Sequence, residues 1–217
     1  MDIKCRIVDW HEIQKWSEDI SDKMMADGYI PDMVIGVTRG GWVPARIVCD
    51  YLVIKELYSL KTEHWGLTAT KDGKALLKHA PQLDVKGKSV LIVDDITDTG
   101  DSLKLAMDYI IKQGASGVKT ATLLHINHSK LVPEYYSENI DEKGWAWFIF
   151  PWNFNEDMKN LVPKAIEGYM TQADIKKILD EKYDMKLSDV KLIEVLLRLE
   201  SSGVLERKGK FWTASKK

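Results

Sequence analysis

The sequence predicts an α/β fold: a parallel sheet with helices on both faces, followed by a small, mainly helical C-terminal appendage. Three observations predict it. Apolar, β-branched runs at 33–37, 90–93 and 118–126 read as buried strands, because a strand covered on both faces is apolar at successive positions. A helical pattern over Leu103–Gln113 lies between the last two runs, and strand, helix, strand is a crossover unit that makes its strands parallel. Beyond about residue 155 the strand pattern stops, and two helical patterns and a short hairpin follow. The organisation expected is therefore an α/β domain over 1–158 and an appendage over 159–217.

Bulk properties narrow the classes. The chain has 217 residues, a net charge of -2 and a pI near 6.2. That balance argues against a strongly basic nucleic-acid binder. No apolar run is long enough to span a membrane, and the N-terminus Met1-Asp2-Ile3-Lys4-Cys5 lacks a signal-peptide core. Cys5 and Cys49 sit in apolar contexts without C-x-x-C spacing, which reads as free thiols in a reducing compartment and hence a cytoplasmic location.

The elements follow in order. Residues 10–27 form an amphipathic helical pattern through Ile13, Trp16, Ile20 and Met24, with Gly28 where it would stop. The run Met33–Val37 ends in Thr38-Arg39-Gly40-Gly41, after which Trp42–Leu52 alternates as a helix that tolerates Pro44 in its first turn. Two glycines let that loop bend tightly, and Arg39 offers a fixed cation for a phosphate. Leu57–Leu60 has strand character, and Lys71-Asp72-Gly73 is a turn signal. Lys86-Gly87-Lys88 turns the chain into Val90-Leu91-Ile92-Val93, which runs directly into Asp94-Asp95-Ile96-Thr97-Asp98-Thr99-Gly100-Asp101-Ser102. Unpartnered backbone amides at a helix entry, a glycine and two hydroxyls make a phosphate cradle with a carboxylate pair beside it. Both polar loops follow strands of one parallel sheet, so both belong at the carboxyl edge where such sheets bind ligands.

The stretch from Val90 to Leu103 resembles the phosphoribosyl diphosphate (PRPP) binding motif of type I phosphoribosyltransferases, the purine-salvage branch in particular. It holds strand, acid pair, third acid, Thr-Gly and Ser in one register. The resemblance covers about residues 5–155. It implies that Asp94 and Asp95 hold the ribose hydroxyls and, through water, a Mg²⁺ cofactor. It further implies that Asp98, Thr99, Gly100, Asp101 and Ser102 hold the 5′-phosphate, with Asp98 also the catalytic acid/base near the purine N7. Thr38, Arg39, Gly40 and Gly41 would hold the diphosphate, and a segment within 53–80 would close over the reaction. Asp101 is expected to turn its charge to solvent, away from the phosphate. A homodimer is a further implication; a membrane partner is excluded and nucleic acid disfavoured.

The base is read from two departures. Enzymes of this branch that act on 6-oxopurines carry a Lys just past the strand ending at Ile126; this chain has Ile126 or Asn127 there. A 6-oxopurine presents an acceptor at position 6, adenine a donor. The aromatic segment Trp145-Ala146-Trp147-Phe148-Ile149-Phe150-Pro151-Trp152-Asn153 resembles the base loop of the xanthine-guanine branch, which implies stacking on Trp147, backbone recognition at Phe148, and Asn153 in place of an Asp. Both departures favour adenine, with hypoxanthine, guanine or xanthine as the alternative. In the appendage, Thr171-Gln172-Ala173-Asp174 has capping-box character, Ser188 can cap a second helix, and Lys208-Gly209 centres a hairpin. Helix, helix, hairpin outlines a winged helix and hence a second class of function, a PRPP-sensing regulator. The acids Asp189, Glu194 and Glu200 on the second helix speak against DNA. The two apolar rows of that helix, Val190–Ile193–Leu197 and Leu192–Leu196–Leu199, predict contacts on more than one side.

Overall fold

The structure is a computed structural model that describes residues 3–64, 75–79 and 81–215. In chain order the elements are β1 (Cys5–Ile7), α1 (Trp10–Ala26), β2 (Met33–Thr38), α2 (Trp42–Tyr51), β3 (Leu57–His64), β4 (Ala75–His79), β5 (Ser89–Thr97), α3 (Asp101–Lys112), β6 (Gly117–Ile126), β7 (Tyr135–Ile140), β8 (Trp147–Ile149) and α4 (Phe154–Leu161). A 3-10 turn at Pro163–Ala165 follows, then β9 (Met170–Thr171), α5 (Gln172–Tyr183), α6 (Asp189–Ser201), β10 (Leu205–Lys208) and β11 (Phe211–Ala214). They fall into two compact units, residues 10–145 and residues 1–9 together with 146–217. The pairing of the chain's N-terminal strand with β8 is what gathers residues 1–9 with the C-terminal part.

The larger unit carries a six-stranded sheet in the order β4-β3-β2-β5-β6-β7. Neighbours pair in parallel from β3 through β7, and only β4 is antiparallel. Met33, Ile35 and Val37 of β2 and Val90 and Ile92 of β5 bury one sheet face under Leu103, Ala106 and Ile110 of α3. The opposite face takes α1 and α2. There Gly36 lets α2 approach: a Cβ at Gly36 would lie 3.1 Å from the Ala45 Cβ and from the Trp42 Cα. The expected stripe of α1 is wholly buried, and between its members Ser17 and Ser21 are buried too. Their hydroxyls stay satisfied by donating 2.8 Å bonds to the carbonyls of Ile13 and Ser17 one turn back. Gly28 ends α1 at φ 64°.

The second unit is assembled from both ends of the chain. β1 and β8 pair in parallel, Cys5 opposite Trp147 and Ile7 opposite Ile149. Cys5 and Ile149 share one core with Met158, Val162, Ile175, Leu179, Leu192, Leu196 and Trp212, so the C-terminal helices pack around the strand pair. The capping box at Thr171 and Asp174 and the Ser188 cap are both present. β9 joins the hairpin as a third strand in the order β10-β11-β9, which completes the winged-helix outline. The double-sided packing expected for α6 is corrected: Leu192, Val195, Leu196 and Leu199 are buried, but Val190 is 68% and Leu197 44% exposed. The other elements of this unit cover a single side of the helix. No described helix is long and apolar enough to cross a membrane. Both cysteines are buried free thiols, and burial pushes each up to about 11.

Candidate active site

β5 is the element that builds the site. Its ladder to β6 continues past the apolar run, through Asp94 opposite Thr122, Ile96 opposite Leu124 and Thr97 opposite His125. The acid pair therefore stands on regular strand rather than on loop. Thr97 is pinned there by a 2.9 Å bond from its hydroxyl to that of Thr122. Asp94 and Asp95 are 9% and 8% exposed. Burial first, then the neighbouring Asp95 carboxylate, holds Asp94 well above the usual carboxylate range, while backbone amides of Asp95 and Gly41 pull the other way. The Asp95 amide lies 2.9 Å from the Asp94 Oδ1.

The loop after β2 is packed directly onto this pair. A Cβ at Gly40 would fall on the Asp95 carboxylate, and one at Gly41 would fall on the Val93 carbonyl and within 2.7 Å of the Asp94 Cα. Those two glycines are what allow the two loops to touch. The Thr38–Arg39 peptide bond is cis. Thr38 donates its hydroxyl to the Leu60 carbonyl at 3.1 Å, and the Gly41 amide returns to the Val37 carbonyl at 2.8 Å. Arg39 is exposed.

On the other side of β5, Gly100 opens α3 at φ 84°. A Cβ there would meet the Leu131 Cβ at 2.7 Å and the Ser129 Oγ at 3.0 Å, so the β5–α3 loop packs against the β6–β7 loop. The Asp101 amide donates to the Thr99 hydroxyl at 3.3 Å, and the Ser102 hydroxyl lies 3.4 Å from that of Thr62. Asp101 and Thr99 are exposed. Asp98 is half-exposed and bonded: its Oδ1 lies 2.6 Å from the Nε2 of His128. Asn127, also exposed, precedes His128 in that loop. The sequence reading passed over His128, since nothing local joins it to Asp98, 30 residues earlier.

The fold thus brings Thr38–Gly41, Asp94–Asp95 and Asp98–Ser102 to one edge of one sheet. A model of the phosphoribosyl transferase domain matches residues 6–159. The chain belongs to the phosphoribosyltransferase family. Among relatives, the xanthine-guanine phosphoribosyltransferase of Cereibacter sphaeroides is 29% identical over 155 residues, covering 67% of this chain and 85% of the relative. Xanthine phosphoribosyltransferase 1 of Saccharomyces cerevisiae is 23% identical over 205 residues, covering 75% and 96%. The purine phosphoribosyltransferase structure from Pyrococcus horikoshii superimposes with a TM-score of 0.58 at 29% identity, covering 70% of this chain and 94% of that one.

The remaining expected site residues lie in the other unit. Trp147 is half-buried, and its indole N–H donates to the Asp157 Oδ1 at 3.0 Å. Asp157 is 4% exposed, and burial pushes its carboxyl up to about 6 against the opposing pull of that indole. The ladder bonds of β8 run through the Trp147 amide to Lys4 and from Val8 to the Ile149 carbonyl. Phe148 lies between them, so its amide and carbonyl face the opposite edge of the strand. Its ring is buried, with the Arg6 guanidinium 5.7 Å from its centroid. Asn153 stands before α4 and accepts the Asp157 amide on its carbonyl at 2.9 Å. The closing segment falls largely on 65–74, outside the described residues.

Proposed function

We propose that this phosphoribosyltransferase acts on purines, and on 6-oxopurines rather than adenine. The PRPP part rests on one observation: the Gly40–Gly41 loop and the Asp94–Asp95 pair are in contact at a parallel sheet's carboxyl edge, beside a helix entry that offers backbone amides. The base class rests on the relatives named above, two of which are xanthine enzymes. Neither of those two is named for adenine, so the adenine preference drawn from Asn127 and Asn153 finds no support there.

In this reading the α3 entry holds the 5′-phosphate through backbone amides, and the Gly40–Gly41 loop receives the diphosphate. Asp94 and Asp95 face the ribose hydroxyls. Two adjacent hard-oxygen carboxylates suit a magnesium shell completed mainly by water and substrate, and among the described residues no group of three acidic, His or Cys ligands forms a fuller cage. Bound there, magnesium would neutralise charge on the departing diphosphate. The purine N9 forms its bond to C1′ as the bond from C1′ to the diphosphate oxygen breaks. The diphosphate leaves with that electron pair, and the N7–H proton passes to Asp98. Positioning and electrostatics do most of the work.

The test is a PRPP-dependent assay with xanthine, guanine, hypoxanthine and adenine, reading nucleotide and diphosphate together. Turnover of one or more 6-oxopurines, with adenine at least about 10-fold slower, is expected from the donor-acceptor inversion at position 6. Turnover of adenine alone restores the sequence-based preference. Tight PRPP binding without turnover of any base favours the regulator, the reading to which the completed winged-helix outline lends its support.

A further inference from the structure

We propose that His128 is a positioning residue that aims the Asp98 carboxylate at the base. The inference rests on the acid/base role given to Asp98 above. Three observations carry it. The contact is short, 2.6 Å from the His128 Nε2 to the Asp98 Oδ1, and it joins the loops that follow β5 and β6. Both side chains keep solvent access, 39% for His128 and 45% for Asp98, so the pair is open to a ligand. The backbone holding His128 is fixed on both sides. The Asn127 amide donates to the Ile140 carbonyl at 2.9 Å, the Ser129 amide to the Ile126 carbonyl at 2.9 Å, and the Lys130 amide to the Thr99 carbonyl at 3.4 Å.

An ionised carboxylate only accepts hydrogen bonds, so the proton in this contact belongs to His128: Nε2–H donates and Oδ1 accepts. That uses one oxygen and sets the plane of the carboxylate. Oδ2 is then the oxygen presented to the N7–H of the base. Without the histidine, a half-exposed Asp side chain on a loop turns through several rotamers, and few of them place an oxygen where the proton leaves. An exposed side-chain pair of this kind contributes little to folding, so its removal should spare the fold while harming the chemistry.

The experiment compares wild type, His128→Ala, His128→Gln and Asp98→Asn by steady-state kinetics, PRPP binding and thermal melting. His128→Ala is expected to lower kcat roughly 10-fold, as for a displaced acid/base. Its KM for PRPP should hold within about 2-fold and its Tm within about 2 °C, because the pair is exposed and the backbone amides that the α3 entry offers to the 5′-phosphate stay in place. His128→Gln, whose amide N–H2 can reach the same oxygen, should recover most of kcat. A wild-type kcat in His128→Ala, with Asp98→Asn slowed, overturns the positioning role alone. A fall in Tm that tracks the fall in kcat, unrelieved by His128→Gln, makes the histidine structural and also overturns it. An Asp98→Asn variant as fast as wild type, or a wild-type protein inactive with every base, overturns the reading beneath it as well.

Discussion

Each of the two units buries acidic side chains, and they do so in different company. In the sheet unit Asp94 lies beside another acid, and both are seated against glycine backbone. In the unit built from the two chain ends, Asp157 is equally buried but receives an indole N–H at 3.0 Å and sits in an apolar core with Cys5 and Ile149. Two like charges packed together are an arrangement that folding alone does not favour, and that a polyol or a cation can relieve. A lone carboxyl under a tryptophan is a packing device whose charge is dispensable. The difference teaches that a raised carboxyl marks function only when its surroundings stay costly until a ligand arrives.

The strongest way to break this contrast is at the glycine seat. Gly41→Ala drives a methyl into the Val93 carbonyl and the Asp94 Cα, both backbone, so the loops must separate. Turnover should fall at least about 100-fold, with PRPP binding lost in calorimetry, since misplacing a site by an ångström has that effect. Near-normal PRPP binding would show that the contact between loops is not what builds the site.

Asp95→Asn should separate function from stability. Turnover is expected to drop roughly 10- to 100-fold with the loss of a charged hydrogen-bond acceptor. Removing like-charge repulsion should at the same time raise unfolding free energy by about 1 kcal/mol in denaturant melts. A variant that is both inactive and less stable would place Asp95 among the structural acids.

Asp157→Asn is the matching change in the other unit. The amide oxygen still accepts from Trp147, so stability at pH 7 should rise on the order of 2 kcal/mol. Turnover should stay within about 2-fold, because only packing is altered. A loss of activity as large as that of Asp95→Asn would erase the distinction between the two acids.

The smallest effect is the pH slope of that stability. The folded Asp157 carboxyl sits at about 6, above its ordinary value of 3.8, so the folded state binds the proton more tightly. Its environment is uncompensated only when it is ionised. Stability should therefore be highest below about 4, fall as pH rises toward 6 and level off beyond it. Melts of wild type against Asp157→Asn across that range should show a steeper fall in wild type, the excess being the contribution of Asp157.

The sequence by itself determined the parallel sheet, α1 through α3, the capping box at Thr171 and the two polar loops at the sheet's carboxyl edge. Those signals are local: apolar periodicity, a cap three residues from its partner, an acid pair carried on one strand into one helix entry. Tertiary structure alone decided what meets across long separations. It paired β1 with β8, brought His128 to Asp98, set Trp147 on Asp157 and left Val190 and Leu197 of α6 exposed. It also showed why both Gly40 and Gly41 are needed, since the atoms they make room for come from β5, more than 50 residues further along. A hydrogen-bond partner or a close approach between distant segments leaves no period and no spacing in a chain, because it exists only once the backbone has closed around it.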